Sequence, residues 1–160
     1  KGTLKLGDKT ISFDTTGHRD HSWGTRDWSA FQHYTWFQGQ AGDGVSVHFW
    51  KQNALGRTVV RGYVFKDKLL AEVTDVTVEW KGDDKFRHTQ YDALVTDEAG
   101  RKTTISVDVY AHYPLIPDPA IVLNETAGRA KIDGKPGLGW MEMAWPKTYL
   151  DHIIASAPTY

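Results

Sequence analysis

The sequence contains no cysteine. Disulfides, thiol catalysis and cysteine-based zinc sites are therefore excluded, and nothing in the residues reports a redox compartment. No stretch approaches the ~18 consecutive apolar residues of a membrane helix, so no membrane span is expected. An excess of one charge is missing as well: 19 Lys and Arg stand against 20 Asp and Glu, a net charge of −1. Nucleic acid or an anionic surface would call for a basic stripe, and no nucleic-acid partner is expected. No secretory signal pattern is visible, and a cytoplasmic setting is the expectation. Linkers and low-complexity tracts are also lacking. Residues 1–160 read as one domain, long enough for a sizeable core.

What the chain has in quantity is aromatic surface, with seven Trp, seven Tyr and six Phe. That suggests either a thick β core or a cavity lined for an apolar ligand. Thr3 to Leu6 and Thr10 to Phe13 alternate around Gly7-Asp8-Lys9 as a short hairpin. Phe31 to Gln38 and Val45 to Lys51 flank Ala41-Gly42-Asp43-Gly44, a second hairpin. Arg57 to Phe65, Leu69 to Trp80, Arg87 to Val95 and Thr103 to Tyr113 continue the pattern, with reversals at Lys66-Asp67-Lys68 and Asp97-Glu98-Ala99-Gly100. Pro114, Pro117 and Pro119 are expected to break the ladder, because proline has no N–H to donate. Ala120 to Ile132 and Leu138 to Trp145 are the last strands. Pro146 to Ser156 reads as the one helix, with Tyr149, Leu150, Ile153 and Ile154 at helical spacing. The whole predicts an all-β antiparallel meander, closed as a barrel or folded as a sandwich, with a short C-terminal helix.

Both faces of the early strands carry bulk. Phe31, His33, Thr35 and Phe37 share one face and Tyr34 and Trp36 the other, while Val45, Val47 and Phe49 oppose Ser46, His48 and Trp50. A one-sided sheet shows cleaner alternation. This pattern predicts an interior of mixed polar and aromatic lining and an outside covered by a partner.

One stretch concentrates charge and aromatic surface together. Gly17 to Trp28 holds two His, two Arg, two Asp and two Trp. Buried charges must be paired, and tryptophans bury large areas, so a half-buried polar network is expected. The spacing does not decide between a functional site and a structural lock.

His21-Ser22-Trp23-Gly24-Thr25-Arg26-Asp27-Trp28 resembles the His-Ser-Trp-Gly-x-Arg-Asp-Trp signature of a lipocalin-like superfamily whose members resemble carotenoid 1,2-hydratase and, more distantly, tocopherol cyclase. Gly134, Gly137, Gly139 and Glu142 resemble the second half of those proteins. The resemblance implies a lipocalin-like barrel forming the C-terminal half of a longer two-domain protein. A second lipocalin-like barrel, from the same protein or another copy, would be its partner. It also implies a hydrophobic, isoprenoid-like small molecule, protonated at a carbon–carbon double bond so that hydration, isomerisation or cyclisation follows. A non-catalytic carrier and a structural half-barrel are the alternatives.

Protonating an alkene needs an acid held neutral in a dry pocket and aromatic faces for the cation. Asp20 and Asp27 are candidate acids, with Trp23 and Trp28 as walls. Arg19 and Arg26 pairing with those aspartates would instead make the structural lock. Glu142 is the third candidate acid. Both it and Glu125 sit in otherwise apolar strands, where a carboxylate is either exposed at an edge or buried. His18, His21, His33, Trp36, His48 and Trp50 complete the expected ligand contacts, and His33 and His48 fall on the two strands of one hairpin. No cofactor and no metal are expected, since His18 and His21 would point to opposite faces of a strand. A triad of Ser22, His21 and Asp20 fails because adjacent strand residues do not reach one another.

Overall fold

Tight reversals dictate the path of the chain. Leu55-Gly56, Asp67-Lys68 and Asp133-Gly134 hold both residues at positive φ (50° and 72°, 54° and 62°, 49° and 77°). That is the twist which lets two-residue loops join neighbouring strands. In the computed structural model, which describes residues 1–42 and 44–156, the strands are β1 (Gly2–Leu6), β2 (Lys9–Phe13), β3 (Phe31–Ala41), β4 (Val45–Ala54), β5 (Arg57–Lys66), β6 (Leu69–Gly82), β7 (His88–Asp97), β8 (Lys102–Asp118), β9 (Ile121–Ile132) and β10 (Lys135–Pro146). Helix α1 (Lys147–Ser156) follows. Strands β3 to β10 run up and down in sequence order, and β10 pairs back on β3 to close an antiparallel barrel. Closure removes the sheet edges that an open meander would leave.

The first hairpin stands apart. β1 and β2 form their own two-stranded ribbon, with Leu4 opposite Ile11 and Gly2 opposite Phe13. Leu4, Leu6, Ile11 and Phe13 are exposed.

Pro114 and Pro117 do not end the eighth strand, which stops just before Pro119. β8 continues to Asp118, with Pro114 opposite Asn124 and Leu115 opposite Leu123. Pairing of β8 with β7 stops at Asp108, so the later residues of β8 have a partner on one side only. Proline is tolerated there because its missing N–H faces no ladder.

The interior is packed with Phe37, Val47, Phe49, Val64, Val76, Val95, Val107, Ile132 and Met141. Gly39, Gly139 and Gly128 lie in register across β3, β10 and β9. A Cβ at Gly39 or Gly139 would fall 2.4 or 2.8 Å from the Phe37 ring, so the glycines make the room this ring fills. The two faces of β3 and β4 divide accordingly. Phe37, Val45, Val47 and Phe49 point inward, and Tyr34, Trp36, His48 and Trp50 point outward.

Ionic clasps hold one end of the barrel. The fully enclosed Asp97 carboxylate accepts from Ala99 N, Arg101 N and Arg101 Nε at 3.1, 2.9 and 2.8 Å, and Arg101 Nη1 also donates to Lys66 O (2.8 Å). Burial pushes Asp97 up, but the Arg101 contacts outweigh it and hold the carboxyl below its ordinary range. Lys66 Nζ donates to Asp133 (2.7 Å) and to Lys102 O (2.8 Å). The expected lock of Arg19 and Arg26 on Asp20 and Asp27 is not formed. Arg19 reaches His21 Nδ1 (2.8 Å), while Arg26 donates to Ser22 Oγ (2.6 Å) and lies over the Trp28 ring. Residues 14–27 carry no strand and are exposed rather than half-buried. Side chains two and four residues apart in this loop satisfy one another locally without burial.

Among the described residues no helix is long and apolar enough to cross a membrane.

Candidate functional site

The alternation of the strands assembles an unusual outer face. On β3, β4 and β10 the even-numbered residues point away from the barrel interior, and on β9 the odd-numbered ones. Trp36 on β3 therefore stands between Glu142 on β10 and Trp50 on β4. Glu142 in turn faces Glu125 on β9, and Trp140 faces Ala127. Two carboxyl groups thus meet side by side among tryptophans.

The N-terminal segment covers this place. Gln40 Nε2 donates to Gly17 O (3.2 Å), and the His18 ring lies 5.7 Å from Trp36 and 6.2 Å from Trp140. His18, Asp20, Trp36, Glu125, Trp140 and Glu142 line a cleft of about 350 Å³.

Tyr34 supports the cleft from below. It is buried under Phe31 and Trp50, at ring distances of 5.4 and 5.8 Å, and its hydroxyl donates to Glu142 Oε1. Glu125 accepts from Trp140 Nε1 (2.7 Å), which fixes the second carboxyl against the cleft wall. Burial pushes the Glu142 carboxyl up to about 8, helped by a shared hydrogen bond with Glu125 and by the charges of Glu125 and Asp20. The Tyr34 hydroxyl pulls the other way without prevailing. Burial, then the neighbouring Glu142, raises the Tyr34 phenol far above its usual range.

A neutral imidazole flanks the same tryptophan. His48 Nδ1–H donates to Phe37 O (2.8 Å), which leaves Nε2 as an acceptor, and its ring lies 5.1 Å from Trp36. Burial lowers its pKa against the opposing backbone hydrogen bond and the charge of Asp20. A carboxyl held protonated and an imidazole held neutral, on either side of one indole, are suited to giving and taking a proton near neutral pH.

The remaining candidates scatter. His33 points into the barrel, stacked on Trp145 at 4.0 Å with Nδ1–H donating to Ala144 O (2.8 Å), so it does not meet His48. Burial lowers its pKa. Trp28 and Trp50 pack on the outer cluster around Tyr34. Trp23 is 82% exposed, its ring 5.0 Å from that of the exposed His21. Asp27 caps the 3-10 turn Trp28–Ala30, accepting from Ser29 N and Oγ at 3.0 and 2.6 Å. Among the described residues no three His, Asp or Glu are grouped to hold a metal ion. Tyr34 and Trp140 are site residues that reading the sequence passed over. Their signal was present, since Tyr34 shares a strand face with Trp36, and Trp140 with Glu142.

Residues 1–147 match the model of a domain of unknown function, DUF7064. No curated protein and no solved structure matches the chain.

Proposed function

We propose that this chain, which belongs to the DUF7064 family, holds an apolar, unsaturated molecule in the outer cleft of β3, β9 and β10 and donates a proton to it from Glu142. The observation that carries this reading is the Glu142 carboxyl, kept neutral by burial and by Glu125 and seated against Trp36 and Trp140. Proton transfer to a double bond leaves positive charge on carbon. The two indole faces and the carboxylates beside them are placed to stabilise it. Addition of water with its extra proton passing to the Glu142 carboxylate, loss of a different proton from the cation to His48 Nε2, or attack by a second double bond followed by such a proton loss would complete hydration, isomerisation or cyclisation. The resemblance of His21–Trp28 to the hydratase-like signature supports the same chemistry.

A panel of polyunsaturated isoprenoids in detergent micelles, incubated with the protein in D2O, tests it. Wild type should place deuterium on carbon, and Glu142→Gln should lose that activity by about 10²-fold or more. Absence of incorporation from the whole panel, or equal incorporation by the variant, would refute it.

A second reading has its own observation. Much of the barrel interior is filled, whereas the ribbon residues Leu4, Leu6, Ile11 and Phe13 and the outer residues Tyr113, Leu115 and Ile116 stay exposed. Exposed apolar surface of this kind marks an interaction face. A second lipocalin-like barrel, from the same protein or another copy, is the partner proposed for it, with the cleft lying between the halves.

A further inference from the structure

The cleft at Glu142 continues along the barrel wall. Outward residues of β3, β4 and β10 stand in rows two positions apart along each strand. Glu142 and Trp36 belong to the first row, and Ala127, Trp140 and Gln38 to the second. The third holds Leu138, Gln40, Ser46 and Phe65, each paired with the next. The N-terminal segment crosses all three rows. Asp20 and His18 border the cleft, and Thr16 reaches the third row.

Two further hollows lie in series under this segment. A narrow one of about 170 Å³ shares His18 and Trp140 with the cleft. It leads to a wider one of about 460 Å³, with which it shares Thr16, Gln40 and Leu138. The Trp140 and Tyr110 rings wall the neck, and Tyr110 is braced by the Arg129 guanidinium 5.4 Å from its centre. Ala127 lines the neck too, where its short side chain leaves the passage open.

The far chamber differs in chemistry from the cleft. Among its described lining residues there is no carboxylate and no cation. Gln40 and Ser46 stand side by side there, between the apolar Leu138 and Phe65. Gln40 Nε2 donates to Gly17 O (3.2 Å), which leaves Oε1 as an acceptor. Such a surface takes a neutral hydrogen-bonding group carried on an apolar chain, because an ion would be desolvated there without a counter-charge. Leu138 and Glu142 are four strand positions apart, about 14 Å.

We infer, resting on the proton-donating role proposed for Glu142, that the substrate is an acyclic unsaturated alcohol laid along β10 beneath residues 16–20. Its last double bond lies at Glu142 and its hydroxyl at Gln40 and Ser46. The neck at Ala127 passes one extended chain, so chain length and the distant hydroxyl together set specificity.

Farnesol, geraniol and farnesene are the probes. Geraniol is one isoprene unit shorter than farnesol, and farnesene keeps the length without the hydroxyl. In nitrogen–proton spectra of the whole chain, all three should shift the indole N–H groups of Trp36 and Trp140. Farnesol, but not geraniol, should also shift the Gln40 side-chain amide saturably. It should bind at least tenfold tighter than geraniol and several-fold tighter than farnesene. Ala127→Leu closes the neck, and should bring farnesol down to the affinity of geraniol while geraniol itself is unchanged. If that variant fails to fold, the three wild-type affinities decide alone. Equal affinities for farnesol and geraniol, or a Gln40 amide that does not respond to farnesol, overturn the inference. Glu142→Gln keeps the trough without the acid and should show the same preferences. Those preferences beside a failure of deuterium incorporation by wild type would sink the proton-donor role and leave the alcohol site standing.

Discussion

Replacing Glu142 by Gln removes an acid that folding holds neutral. The carboxyl titrates at about 8 in the folded chain, against an ordinary value of 4.5. That separation of about 3.5 units, at about 1.36 kcal/mol each, amounts to at most about 5 kcal/mol. Its direction follows from which state holds the proton. Below 4.5 both folded and unfolded chains carry the neutral acid, and nothing is lost. Between 4.5 and about 8 the unfolded chain sheds a proton that the folded chain keeps, so wild type loses stability as pH rises. Above about 8 the loss is complete. Gln fills the same space, accepts the Tyr34 hydroxyl and does not titrate. The two proteins should therefore match near pH 4 and diverge through the window, with Glu142→Gln the more stable at pH 9. The ceiling corresponds to about 10–20 °C in Tm for a chain of this size, and the solvent side of the cleft keeps the observed gain below it. Urea unfolding of both proteins at pH 4, 6 and 9 measures the divergence. Stability curves that stay parallel from pH 4 to pH 9 would refute the reasoning, because a carboxyl with no folded-state shift gives no pH-dependent difference.

The Tyr34 hydroxyl favours the ionised form of Glu142, so Tyr34→Phe should move the Glu142 titration upward by about one unit in carbon-13 carboxyl spectra. A downward move would mean that the hydroxyl does not donate to this carboxyl. Asp97→Asn leaves the Arg101 guanidinium without its charge partner and should cost about 3–5 kcal/mol in urea unfolding. Asp20→Asn and Asp27→Asn, both on the exposed segment, should change stability by no more than about 0.5 kcal/mol. A loss at Asp20 or Asp27 comparable to that at Asp97 would restore the lock to the N-terminal motif.

The all-β class and the meander were legible in the residues, because period-two alternation and turn chemistry are local. Leu55-Gly56 and Asp133-Gly134 reverse the chain whatever surrounds them. The C-terminal helix was legible for the same reason, since its apolar spacing lies within a few turns. Which face of a strand looks inward is not local. Val47 and Phe49 were as eligible for either side as Trp36 and Trp50, and the choice fell when β10 closed on β3 and the facing Gly39 and Gly139 admitted Phe37.

The cleft was half legible. Glu142 stood out as a carboxyl in an apolar strand, and His18, Asp20 and Trp36 line the cleft with it. Tyr34 did not stand out, because its role depends on a partner 108 positions away. The locks show the same division. Charge density drew attention to Arg19, Asp20, Arg26 and Asp27, yet exposed residues there satisfy one another within the loop. Asp97 and Arg101 look like ordinary turn residues until the barrel end closes around them. The chain by itself determined its strands, its reversals and its supply of aromatic and acidic side chains, all set by neighbours in sequence. Only the closed barrel decided which carboxyls meet, which are buried and which keep a proton, because those depend on desolvation and on charges brought together from distant strands.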